Sequence, residues 1–210
     1  MKPCCSHSGK SKKCIRKDGK VFSLPRRFTR KRCLQGMKGF SMRSSCAPYN
    51  QCGGKSGIKK AVAVFDMNGI KGTVYFTQKT NDQVLVDYNL EGLKPGFHGF
   101  HVHEYGDLTD GCESACAHFN PTGKQHGGRK GTERHAGDFG NIITSETGET
   151  KGSFSVKGVS LDYNNDKCII GRSMIVHADR DDLGKGNNEE SKKTGNAGKR
   201  LACAVIGLTR

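Results

Sequence analysis

Nowhere in the 210 residues do about 18 apolar side chains follow one another, so no membrane-spanning helix is expected. The first 32 residues lack the apolar run of a secretory signal, being punctuated throughout by Lys, Arg, Ser and Gly. The default expectation is therefore a cytoplasmic protein without membrane contact. Acidic residues are nearly missing from the front of the chain: residues 1–57 hold 15 Lys+Arg against the single acid Asp18. Residues 58–210 hold 20 against 19, so the formal net charge of +15 belongs almost wholly to one end. Also missing are a CxxC pair with zinc-finger spacing, an MxCxxC motif in front and a CxC motif behind.

What is present divides the chain in two. Residues 1–57 are poor in aliphatics and rich in Lys, Arg, Ser and Gly, a composition that favours poor order. The only apolar knot there is "KVFSLPRRF", and "CGGKSG" at Cys52 to Gly57 has the make-up of a flexible linker. The boundary is placed there, with a basic, Cys-rich extension over 1–57 and a folded domain over 58–210. The extension could attract nucleic acid or another polyanion by counterion release, bind zinc through Cys and His7, or act as a passive solubilising tail; polyanion attraction is the favoured reading. Such an extension would suit virion packaging or association with a nucleoid.

In the second part, short segments alternate with period two. Ile58 to Phe65, Gly72 to Thr77, and the series Val84, Val86, Tyr88, Leu90 are read as half-buried strands. "GFHVHEY", "GSFSVKG", "SMIVH" and "LACAVIGL" read as further strands. Asp107 to Gly137 and Asp179 to Gly198 are long, polar and glycine-rich. Many short strands, no convincing helix and two long loops predict an all-β antiparallel sandwich or barrel.

Seven of the eight histidines fall within residues 98–177. His101 and His103 are two apart on an expected strand, so their side chains share a face. An isolated HxH is more often a surface or satisfied core pair than a site. The following loop, however, carries His118, His126 and His135 and closes with Asp138, three nitrogens and one carboxylate for a tetrahedral zinc. A solvated polar loop explains any one of these residues but not the set. His177 ends "SMIVH"; with His101, His103 and His118 it makes an all-imidazole group suited to Cu(II). A redox-active copper and a redox-silent zinc sharing one histidine is the expectation.

The segments "HGFHVHEYGD", "HFNPTGKQHGG", "ERHAGDFGN", "CIIGRSMIVH", "DDLGKGNNEESKKTGNAGKRLAC" and "VIGL" resemble copper/zinc superoxide dismutases, over essentially all of residues 58–210. The resemblance implies a Greek-key β-barrel or sandwich of eight antiparallel strands, an architecture for which this enzyme is itself a standard example. It implies copper on His101, His103, His118 and His177, and zinc on His118, His126, His135 and Asp138. Asp181 matches the aspartate that orients one copper and one zinc histidine, and His98 matches a structural histidine outside the ligand count. Arg200 matches the arginine that orients the superoxide anion, and His118 is also implied as a proton carrier.

Glu189, Glu190 and Lys193 fall in what resembles the electrostatic loop; superoxide dismutases are themselves a standard case of field steering and diffusion-limited turnover. The resemblance further implies a Cys112–Cys203 disulfide. Cys116 stands where a small residue is usual, which leaves the partner of Cys112 open, and Cys168 is expected to be a free thiol. Gly106, Ile170, Gly171, Val205 and Leu208 match a homodimer contact surface. The rival reading is a non-catalytic copper chaperone or metal-sequestering protein on the same barrel; His177 and Arg200, often absent from such relatives, are both present.

Overall fold

The computed structural model describes residues 2–3, 13–16, 19–23 and 60–209. Two compact units emerge, Met1–Gly57 and Ile58–Arg210. In the first, β1 (Lys2–Pro3) pairs in parallel with β2 (Lys13–Ile15), which pairs antiparallel with β3 (Val21–Ser23). Cys14 on β2 is buried and disulfide-bonded. His7, the linker at Cys52 to Gly57, and most of the stretch expected to be poorly ordered lie outside the described residues.

The second unit is built from eight long strands, β4 (Lys60–Met67), β5 (Ile70–Thr80), β6 (Gln83–Glu91), β7 (Gly96–His103), β8 (Asp138–Thr144), β9 (Thr150–Lys157), β10 (Ser173–His177) and β11 (Arg200–Val205), with the two-residue β12 (Gly207–Leu208). One sheet runs β11-β10-β7-β8 and the other β12-β4-β5-β6-β9, and every pair in them is antiparallel. The chain makes a meander through β4, β5 and β6, crosses to β7 and β8, returns to place β9 beside β6, and crosses again to place β10 beside β7. These long returns are the Greek-key connections expected from the sequence.

Alternation determines what each strand buries. On β6, Val84, Val86, Tyr88 and Leu90 enter the core while the residues between them are half-buried or exposed. Phe100 and Val102 on β7 and Met174 and Val176 on β10 face the same core. Each such side chain contributes roughly 1.5–3 kcal/mol of burial free energy. The opposite faces of β7 and β10 are buried too, and they carry His101, His103, Ile175 and His177.

β8 was not among the expected strands. Its sequence "DFGNIIT" opens on a carboxylate and contains Gly140 at φ 75°, both of which hide a strand from propensity reading. The expectation of no helix is corrected as well: α1 spans Glu189–Thr194. Asn188 caps it by accepting from the Ser191 N–H, acids occupy its first turn and lysines its last, and Gly195 closes it at φ 70°. Among the described residues no helix is long and apolar enough to cross a membrane.

Candidate metal centre

The two ligand-bearing strands are held in register by direct pairing, with His101 opposite Ile175 and His103 opposite Ser173. The register shifts between Gly99 and His101 on one strand and between Val176 and His177 on the other. Such irregularities re-aim side chains at functional positions, and here they flank His101 and His177. His118 comes from the long loop but is tied to the sheet by a bridge to His103. The loop itself returns through His126 and His135 and ends where β8 begins, at Asp138.

Four imidazoles, His101, His103, His118 and His177, bring donor atoms within 4.8 Å of one another, and so do His118, His126, His135 and Asp138. All seven residues are buried. Asp138 Oδ1 lies 2.9 Å from His118 Nδ1, 3.0 Å from His126 Nδ1 and 3.1 Å from His135 Nδ1. Ligand atoms about 2.0 Å from a tetrahedral zinc stand about 3.3 Å apart, so these four donors converge as one ion requires.

His118 is common to both groups. Its Nδ1 faces Asp138, which leaves Nε2 facing the other imidazoles. Among the described residues the buried side-chain nitrogens without a hydrogen-bond partner are His101 Nδ1, His118 Nε2 and His126 Nδ1. An orphaned buried polar atom costs about 1–3 kcal/mol, and all three orphans belong to the two donor groups. Metal ions could supply the missing partners.

The other ring nitrogens are engaged. His103 Nδ1 lies 2.7 Å from the Cys116 carbonyl and His177 Nδ1 lies 3.1 Å from the Gly198 carbonyl. Asp181 reaches both groups at once, with Oδ2 2.9 Å from His101 Nε2 and Oδ1 2.8 Å from His126 Nε2. Asn141 clamps the Asp181 backbone from both sides, donating to its carbonyl and accepting from its N–H, each at 2.8 Å. Gly195 passes so close that a Cβ there would meet Asp181 Oδ1 at 2.0 Å, so only glycine fits. Asp181→Asn keeps the shape but replaces one acceptor oxygen by an amide donor. It is expected to weaken metal affinity roughly 10- to 100-fold, measured by competition with a chelator.

Burial and the neighbouring His101 push His118 down to about 3 and His177 down to about 2, and burial with His118 beside it also lowers His103. Burial works against charge on His126, yet the carboxylates of Asp138 and Asp181 beside it prevail and lift it to about 9. Despite burial, hydrogen bonds from the histidines hold both carboxylates well below their usual range. The unfolded rings titrate near 6.5. For protein stripped of metal, the depressed rings give a stability that is intact above about pH 6.5 and is lost as pH falls below it, about 1 kcal/mol per pH unit and ring. His126 acts oppositely, its contribution being present below 6.5 and lost as pH rises through about 9. Denaturant midpoints of chelator-treated protein should therefore drop between pH 7 and pH 5; a flat profile would contradict this.

Above the imidazole group an open cleft of about 1210 Å³ is lined by His103, His118, His177, Arg200, Glu189, Glu190 and Lys193, with Lys124 and Lys199. The cross-strand register seats Arg200 opposite His177. Its guanidinium Nη1 donates to the carbonyls of Cys112 at 2.7 Å and Glu113 at 3.3 Å. Cys112 is bonded to Cys203, so the loop is tied to the strand that bears Arg200. Cys116 and Cys168 are free thiols, and Cys116 is exposed. Sequence reasoning missed the backbone carbonyls of Cys116 and Gly198, which carry no sequence signal, and Asn141. It also missed Arg134, a buried guanidinium that donates to the carbonyls of His135 and Ala136.

A Greek-key barrel in which two paired strands, one long loop and the start of β8 gather seven donor residues into two groups sharing one imidazole has the donor set of a binuclear metalloprotein. The family model for copper/zinc superoxide dismutase (SODC) matches residues 70–206, and the chain belongs to that family. A curated "Superoxide dismutase [Cu-Zn]" from Paramecium bursaria Chlorella virus 1 is 54% identical over 152 residues, which make up 71% of this chain and 79% of the relative. The crystal structure of the clock protein EA4 matches with a TM-score of 0.71 and 41% identity, covering 75% of this chain and 99% of that one.

Proposed function

We propose that the chain is a copper/zinc superoxide dismutase, converting two superoxide anions and two protons to dioxygen and hydrogen peroxide. Copper and zinc are its cofactors. His101, His103, His118 and His177 would hold copper, and His118, His126, His135 and Asp138 would hold zinc. The single observation that carries this reading is His118, buried between the two groups with Nδ1 toward Asp138 and Nε2 orphaned toward the imidazoles. When bound, copper supplies the one-electron couple that superoxide alternately reduces and reoxidises, while zinc is redox-silent.

The chain's own residues do the rest. Arg200 presents a permanently charged, planar donor at the rim of the imidazole group, held by two carbonyls, and so binds and orients a small oxyanion. His118 Nε2 is the atom at which a proton can be held and handed on within reach of that anion. Glu189, Glu190 and Lys193 project from α1 at the cleft and shape the field that the anion crosses. Arg200→Gln removes one charged hydrogen-bond donor, about 1.5–3 kcal/mol. A fall in kcat/KM of roughly 10- to 100-fold at unchanged metal content is expected; an unchanged value would remove Arg200 from the site.

Against a chaperone reading stands Arg200, a substrate-facing group that metal delivery alone does not require. Metal analysis with a dismutation assay on the full chain decides: copper and zinc bound without turnover would favour that alternative. We assign the exposed Val205 and Leu208, with Gly106 packed against Gly171, to a symmetric dimer surface; sedimentation equilibrium tests it. A cytoplasmic location and polyanion attraction through residues 1–57 complete the proposal, the latter resting on the charge of that segment. Retention on heparin that is unchanged by deleting residues 1–57 would exclude that role.

A further inference from the structure

Two clefts along a flank of the barrel adjoin at Arg129, Lys130, Gly131 and Thr132, and the first reaches His126 of the zinc group at its inner wall. One, of about 820 Å³, adds Arg180 and Lys185; the other, of about 550 Å³, adds Arg134, Lys157, Lys124 and Lys167. The acids lining them are Glu133 and Asp82. Each is spent on a lysine, Glu133 on Lys124 at 3.8 Å and Asp82 on Lys167 at 3.5 Å. Among the described residues, Arg129, Lys130, Arg134, Lys157, Arg180 and Lys185 form no ion pair with a carboxylate. Six cations without a carboxylate ion pair thus line two adjoining clefts of a domain that is close to charge balance as a whole, with 20 bases and 19 acids. A concave surface of one sign focuses its field on a partner of the other sign.

Two of these cations are fixed on aromatic rings. The Arg129 guanidinium lies 3.8 Å from the centre of the Phe154 ring and donates to the Phe139 carbonyl at 3.1 Å. That of Arg180 lies 4.9 Å from the centre of the ring of Phe97, a residue that is 45% exposed and lines the first cleft with Leu183. Exposed aromatic surface beside a run of cations is what single-stranded nucleic acid uses, backbone on the charges and bases on the rings. A sulfated glycan has no planar groups to place on Phe97, and a lipid surface does not enter a concave groove.

We propose that this flank is a binding track for single-stranded nucleic acid, distinct from the Arg200 rim where superoxide would bind and additional to any polyanion attraction by residues 1–57. All tests keep the full chain, so that residues 1–57 contribute equally throughout. Binding of a fluorescent 12-nucleotide oligothymidylate is followed by anisotropy as a function of salt. The combined substitutions Lys130→Gln, Arg180→Gln and Lys185→Gln should weaken binding about tenfold or more and reduce the slope of log K against log salt by about 2. Lys60→Gln, Lys79→Gln and Lys151→Gln, three exposed lysines outside the track, should change affinity less than about twofold. Phe97→Ala should weaken oligothymidylate binding severalfold and leave heparin binding unchanged. Dismutase activity of every variant should match the parent, which reports intact folding.

The proposal is overturned if the parent chain does not bind the oligonucleotide, or if the track and control triples behave alike. It is overturned equally if Phe97→Ala leaves oligothymidylate binding unchanged or affects heparin to the same extent, since the flank would then be a generic polyanion surface.

Discussion

His118→Ala is expected to bind neither copper nor zinc stoichiometrically and to lose dismutation by roughly 1,000-fold or more, a part of the rate enhancement that enzymes typically reach. The size of the effect follows from position. Alanine removes one donor from each group in a single step, and it leaves Asp138 Oδ1 without one of its three imidazole neighbours. The two groups also lose their mechanical link, since His118 packs against His101 at 4.2 Å and against His103 at 4.9 Å between ring centres. By contrast, His135→Ala touches only the zinc group, so it should retain copper and part of the activity. Elemental analysis of both variants with a turnover assay separates the shared ligand from the unshared one. Equal loss of both metals in both variants would mean that the centre simply collapses.

Cys203→Ser is the second large effect. The disulfide closes a separation of 91 residues, and in the chain-entropy account a loop of that length confers about 4–5 kcal/mol. Cys112, Cys203, Ala115 and Ile175 form a small buried cluster of their own, with Met67 and Leu108 packed on it. Removing the bond therefore frees the loop at the place where its carbonyls hold Arg200. Stability should fall by about 4 kcal/mol in denaturant titrations, and kcat/KM should fall as well even where the protein remains folded. A variant as stable as the parent would contradict this, whereas unchanged stability in Cys112→Ser would show that Cys116 takes over the bond to Cys203. Cys116→Ser alone, which alters an exposed thiol, should leave stability unchanged.

The part of this protein most legible in its sequence is the part with the strictest periodicity. Val84 to Leu90 alternates without interruption, and β6 buries those same residues. The donors were legible because metal chemistry demands rare residue types: His101, His103, His118, His126, His135, Asp138 and His177 do meet in two groups. β8 was not legible, because its first residue serves the zinc group and its third is a glycine at positive φ. α1 was hidden inside a loop too polar to show an apolar stripe. Yet "NNEESKKTG" contains a cap, acids then bases, and a terminal glycine, and capping signals would have found it. Carbonyl acceptors such as Gly198 O and Cys116 O could not be read at all, since every residue has one and only the fold aims it. The charged flank escaped for a related reason: its cations are scattered from Lys124 to Lys185, and the domain's overall balance conceals them.

The central claim is that one imidazole is shared by two unlike ions. Crystals of the oxidised, fully loaded protein, measured with anomalous scattering at the copper and zinc edges, test it most directly. Copper is predicted next to His118 Nε2, with His101, His103 and His177 as its other ligands, and zinc about 2.0–2.1 Å from His118 Nδ1, with His126, His135 and Asp138 as its other ligands. A single ion, or two ions of which only one touches His118, would contradict the account.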